Sequence, residues 1–124
     1  MNEEDQRQLI HLTKTLLRLT DEAYRQFMHK TNEEGYEPDF YRDVKPFADK
    51  TLEVAERWKT LALTWLKEGH AKHLYPWQIE NTFENLTIVS VTAFQKDTKA
   101  KRFHEMIQAI NFILETMDEQ LSAI

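Results

Sequence analysis

The chain contains no cysteine among its 124 residues. A disulfide framework and a thiolate metal site are therefore both excluded, and a reducing compartment is compatible. Glycine and proline are scarce, with two and three copies. These residues punctuate hairpins and many-stranded folds, so their scarcity favours a few long helices. Long apolar stretches are also missing: the longest uncharged run starts at Asn85 and stops before Lys96, well short of the roughly 18 residues a membrane span needs. No membrane partner is expected. Met1 to Arg7 is acidic and polar, where a signal peptide would be basic and then apolar, so the expected location is cytoplasmic. Catalytic signatures are absent too. There is no Gly-x-Ser-x-Gly elbow, the only serines are Ser90 and Ser122, and two glycines cannot build a phosphate-cradling loop.

What remains is enough for one folded domain. Hydrophobic residues make up 41% and charged residues 30%, within the globular range, so a packed core is expected. The net charge of -5 argues against a broad nucleic-acid surface, which needs clustered cations to neutralise phosphates.

Four amphipathic segments can be read. Leu9, Leu12, Leu16, Leu19, Ala23 and Phe27 recur in steps of three and four and predict a first helix over about 4–31. Asn32 to Pro38, with Gly35, ends it. Phe47, Val54, Ala55, Trp58, Leu61, Ala62, Trp65 and Leu66 predict a second helix over 46–68, stopped by Gly69. Pro46 suits a first turn but not a helix interior, so 38–44 is expected to form a separate short helical turn. Pro76, Ile79, Phe83, Leu86, Ser90 and Phe94 predict a third helix over 76–96. The β-branched run Thr87 to Thr92 reads as a strand on propensity alone, but a lone strand has no partner, so helix is expected. Thr98 is a candidate N-cap for a fourth helix over 98–122, carrying Phe103, Met106, Ile107, Ile110, Leu114, Met117 and Leu121. Short connections between helices of similar length predict an all-α, antiparallel up-down-up-down four-helix bundle, with the extra turn before helix two.

Asp39-Phe40-Tyr41, Val44-Lys45-Pro46, Arg57-Trp58, Gln78-Ile79 and Lys101-Arg102-Phe103 stand in an order and spacing that resembles the YppE-like family of uncharacterised Gram-positive bacterial proteins. The likeness runs over nearly the whole chain after about Leu9. It implies a cytoplasmic up-and-down four-helix bundle and carries no catalytic or cofactor residues with it.

A helical bundle raises the di-iron question, because such sites place Glu three residues before His. The residues in that position before His11, His29, His70, His73 and His104 are Gln8, Gln26, Lys67, His70 and Lys101. His104-Glu105 lacks the second zincin histidine, since position 108 is Gln. His70 and His73 offer only two ligands and read as a solvated loop. No metal or cofactor is expected. Trp58 and Trp65, seven residues apart, have core spacing.

The topology brings the first and third connections to one end of the bundle. Glu33, Glu34, Glu37, Asp39 and Asp43 would there face Lys96, Lys99, Lys101 and Arg102. One reading is a set of ion pairs clamping the 38–44 turn, each worth about 0–1 kcal/mol. The other is an anion-recognition patch using Lys101, Arg102 and Lys45. The candidate polar patch thus comprises Asp39, Tyr41, Lys45, Lys101 and Arg102, with Arg57 added from the resemblance. The function expected is a small non-enzymatic protein that binds another protein. The alternatives are a small-molecule binder with its ligand between helices and an enzyme without a recognisable motif.

Overall fold

The computed structural model describes residues 1–123. Four α-helices, α1 (Glu3–Arg25), α2 (Lys45–Lys67), α3 (Pro76–Thr92) and α4 (Ala100–Ser122), are joined by two π-helical segments, Gln26–Thr31 and Phe40–Val44, and by short connections. No strand occurs among the described residues. Each helix packs against its neighbours in sequence, α4 closes the ring against α1, and α1 and α3 touch across the middle. This is the antiparallel four-helix bundle.

Asn2 caps α1, its side chain accepting the Asp5 N–H at 2.8 Å, and Glu3, Glu4 and Asp5 occupy the positive end of the helix dipole. The core row then runs through Leu9, Leu12, Leu16 and Leu19 to Ala23, Phe27 and Thr31, all buried. Its last steps are each four residues long. In an α-helix of 3.6 residues per turn such a row drifts by about 40° per step, and the wider π geometry from Gln26 onward counters that drift. Asn32 Nδ2 donates to the Phe27 carbonyl at 2.7 Å, satisfying an acceptor near the helix end.

Asp39 caps the second π segment by accepting the Arg42 N–H at 2.9 Å. That segment begins at Phe40 and runs into α2 without a break, so it is continuous with the helix it precedes. Pro46 is the second residue of α2 but lies inside this continuous helix, so it cannot donate to a carbonyl of the π segment before it. Thr51, Ala55, Trp58, Ala62 and Trp65 form the buried face. Gly69, with φ +79°, follows the C-cap and donates its N–H to the Leu66 carbonyl at 3.1 Å.

The Thr87–Thr92 stretch is helical. Thr87, Ser90 and Thr92 return their hydroxyls to the carbonyls of Glu84, Thr87 and Ile88 at 2.7, 2.8 and 2.9 Å, while Leu86, Val89 and Ser90 are buried. Packing overrides the β propensity. Two boundaries differ from the sequence reading. Helix α3 ends at Thr92 rather than at 96, and α4 starts at Ala100 rather than at 98. Both shifts involve Thr98, whose hydroxyl donates back to the Thr92 carbonyl at 2.8 Å. It closes the end of α3 instead of capping α4, whose N-cap position is held by Lys99 without a side-chain bond.

Candidate functional site

One end of the bundle gathers the first and third connections. Thr31, fully buried, donates its hydroxyl to the Ala93 carbonyl at 2.5 Å. Phe47 meets Phe94 edge to face at 5.8 Å, and Phe27 stacks on Phe103 at 4.5 Å. The elements are held there by a buried hydrogen bond and aromatic contact. Among the described residues no ion pair links Glu33, Glu34, Glu37, Asp39 or Asp43 to Lys96, Lys99, Lys101 or Arg102. The clamp of carboxylate pairs is therefore not how this end is closed. The short acidic side chains serve their own turn instead: Asp39 accepts from Arg42 N–H, and Asp43 Oδ2 accepts the Asp39 N–H at 3.0 Å.

A cleft of about 700 Å³ opens beside this junction, lined by Gln26 and Lys30 of the first π segment, Glu33 to Tyr36 of the loop, Arg42 and Asp43 of the second π segment, and Phe47 and Phe94. Gln26 Nε2 donates to the Tyr36 hydroxyl at 2.9 Å and to Thr31 Oγ1 at 3.2 Å, which ties the loop to α1's extension. The rim is charged with both signs, from Lys30 and Arg42 on one hand and Glu33, Glu34 and Asp43 on the other. Immediately before Arg42 in the chain come Phe40 and Tyr41, exposed by 57% and 78%. Their rings meet each other edge to face at 5.2 Å.

The six patch candidates do not form one cluster. Asp39 and Tyr41 lie in the turn just described, and Lys45 is engaged by Asp49 at 2.7 Å. Arg57 sits on the α1–α2 surface, donating to Gln8 Oε1 at 3.3 Å and bordering a shallow hollow with Glu4, Arg7 and His11. Lys101 and Arg102 are exposed in the first turn of α4. Arg102 borders a different, small hollow of about 210 Å³ between the end of α3 and the start of α4, with Ile88, Thr92 and Met106.

Sequence reasoning missed Phe40 as a surface residue, although an aromatic pair placed in a polar turn after Pro38-Asp39 was the available signal. It also missed a cavity at the opposite end. A partly open hollow of about 300 Å³ is bordered there by Met1, Gln6, Trp65, Glu68, His70 and Gln120. The Met1 amino nitrogen contacts Glu68 Oε1. Gln120 holds the second connection by accepting the Lys72 N–H at 2.9 Å and donating to the Lys72 carbonyl at 2.8 Å. Three segments far apart in sequence build this cavity, so no local pattern announces it. Among the described residues no group of three or more metal-ligating side chains is gathered, and no helix is long and apolar enough to cross a membrane.

Comparison with known proteins identifies the chain's relatives. Residues 13–121 match the family described as a bacterial domain of unknown function (DUF1798). The uncharacterised protein YppE of Bacillus subtilis (strain 168) is 20% identical over 114 residues, covering 92% of each chain. A crystal structure of a protein of unknown function from Listeria innocua superposes with a TM-score of 0.89 at 24% identity, covering 96% of this chain and 94% of the other. The crystal structure of YppE superposes with a TM-score of 0.87 at 20% identity, covering 99% and 97%. These likenesses agree with the resemblance carried by Asp39-Phe40-Tyr41 and its companion segments.

Proposed function

The chain belongs to this bacterial family of unknown function, and from that premise we propose that it is a small non-enzymatic cytoplasmic protein that works by binding another protein. The contact face is the bundle end carrying Phe40 and Tyr41. One observation carries the reading: two adjacent aromatic side chains, exposed by 57% and 78%, rest on each other instead of on the core. Burying about 100 Å² of apolar surface on each ring would give about 2.5 kcal/mol apiece at 25 cal/mol per Å². Aromatic anchors of this kind dominate the energetics of protein interfaces, and Tyr and Arg are enriched among them. Arg42 follows Tyr41 directly, and the neighbouring cleft supplies charged groups of both signs to set orientation. The rigid supports behind it, Thr31 on Ala93 and Phe47 on Phe94, keep the face preorganised. The absence of cysteine fits work in a reducing compartment.

The experiment is affinity capture from lysate of the producing cell with three baits: the unaltered chain, Phe40→Ser with Tyr41→Ser, and Phe112→Ser. Phe112 is also exposed but lies on α4, outside this end. The reading expects a protein retained by the unaltered chain and by Phe112→Ser and lost with the double variant. Identical retention by all three baits removes this face as the contact.

A further inference from the structure

The bundle end that carries Phe40 and Tyr41 has an acidic side and a basic side that do not pair with each other, and from this we propose that the protein bound there is a second copy of this chain, joined end to end about a twofold axis. The inference rests on the reading above that this face is a contact face, and it names the occupant.

Five carboxylates and three cations fall between residues 30 and 45, so the first connection is acidic. Two of those cations are already engaged, Arg42 by Asp43 at 3.5 Å and Lys45 by Asp49 at 2.7 Å. Glu33, Glu34 and Glu37 are exposed and enter no ion pair among the described residues. The third connection and the start of α4 carry the opposite sign. Lys96, Lys99, Lys101 and Arg102 are exposed and likewise unpaired among the described residues, and Asp97 is the single acid between residues 95 and 104. The two patches abut: Phe94 lines the acidic cleft, and Gln95, next in the chain, lines the hollow that holds Lys99 and Arg102.

Unlike charges side by side make a surface its own complement. In a twofold contact the halves are exchanged, so the acidic connection of each copy meets the basic connection of the other, twice over. That exchange offsets the repulsion between two chains of net charge -5. The start of α4 gains as well, because Lys99 at its N-cap position makes no side-chain bond and its first turn holds no acid. A carboxylate from the second copy would meet both the cations and the positive end of the helix dipole. Phe40 and Tyr41 supply the apolar part, and symmetry buries them twice, four rings in all. A contact confined to the end of a bundle is small, which places the dimer in the transient class.

Sedimentation equilibrium of the full chain from about 5 to 500 μM tests this, since a transient contact dissociates in the micromolar range. The mass is expected to rise from one copy towards two, and salt raised from about 0.05 to 0.5 M should weaken the dimer about ten-fold. Phe40→Ser with Tyr41→Ser should stay monomeric throughout. Reversing the acidic side (Glu33→Lys, Glu34→Lys, Glu37→Lys) or the basic side (Lys99→Glu, Lys101→Glu, Arg102→Glu) should also give monomers, and mixing the two reversed chains should restore a dimer of one copy of each. The new acids stand where the α4 dipole favours them, and circular dichroism reports whether each variant keeps its helical signal; if one does not, the serine variant decides. The proposal is overturned if the unaltered chain remains one copy throughout, if its dimer survives the serine substitutions, or if two helical reversed chains do not pair. A monomeric chain whose position 41 still crosslinks to a protein of different mass keeps the contact face and removes the second copy as its occupant.

Discussion

Replacing Thr31 by Val is the sharpest probe of how the first connection is tied to the end of α3. The side chain is fully buried, and its hydroxyl donates to the Ala93 carbonyl at 2.5 Å. No other donor reaches that carbonyl among the described residues. Val preserves the shape, so the loss is the hydrogen bond and the acceptor it leaves behind, about 1–3 kcal/mol. An unfolding entropy of about 2.1 cal/mol/K per residue gives about 260 cal/mol/K for a chain of this length, or about 4 °C for each kcal/mol. Thermal unfolding followed by circular dichroism should therefore show Thr31→Val melting about 4–12 °C below the unaltered protein. Thr20→Val is the matched control. Thr20 is equally buried, but its hydroxyl donates at 2.7 Å to the Leu16 carbonyl, inside α1. That carbonyl keeps its helical N–H partner, so the cost should stay near 0.5 kcal/mol, about 2 °C. The reasoning fails if Thr31→Val melts with the unaltered protein, or if Thr20→Val loses as much.

Two further substitutions separate backbone and surface effects. Gly69→Ala adds a methyl group into open space at φ +79°; the left-handed backbone alone should cost about 1–2 kcal/mol, read as a lower urea midpoint with an unchanged slope. Phe40→Ser with Tyr41→Ser alters only exposed rings, so stability in urea should change by no more than about 0.5 kcal/mol per site; a larger loss would mean that the pair supports the fold.

The helices were legible because their core rows are regular. Leu9 to Phe27 and Phe103 to Leu121 keep steps of three and four, and burial follows those rows closely. Trp58 and Trp65 are likewise buried where their spacing puts them. The Thr87–Thr92 stretch could be assigned only by asking what a lone strand would pair with, since its residue types point the other way. Thr98 shows where local rules stop. It has the composition of an N-cap, but the Thr92 carbonyl competes for its hydroxyl and wins.

The bundle end was found from topology, whereas its chemistry was not. Opposite charges were placed together by connection order, yet Asp39 and Asp43 are used by their own turn and Lys45 by Asp49. Short-range partners are available at no cost in loop closure, so they outcompete distant ones. Arg57 entered through the family resemblance and stands on α2, donating across to Gln8 of α1. The cavity around Trp65 combines the start of α1 with the ends of α2 and α4, a juxtaposition visible only once the chain is folded.

Photo-crosslinking inside the producing cell tests the proposed contact face most directly. A benzoyl-phenylalanine placed at Tyr41, and separately at Phe112, preserves an aromatic side chain at two exposed positions on different parts of the bundle. A discrete protein adduct from position 41 and none from position 112 is the predicted result; no adduct from position 41, or the same adduct from both positions, contradicts it.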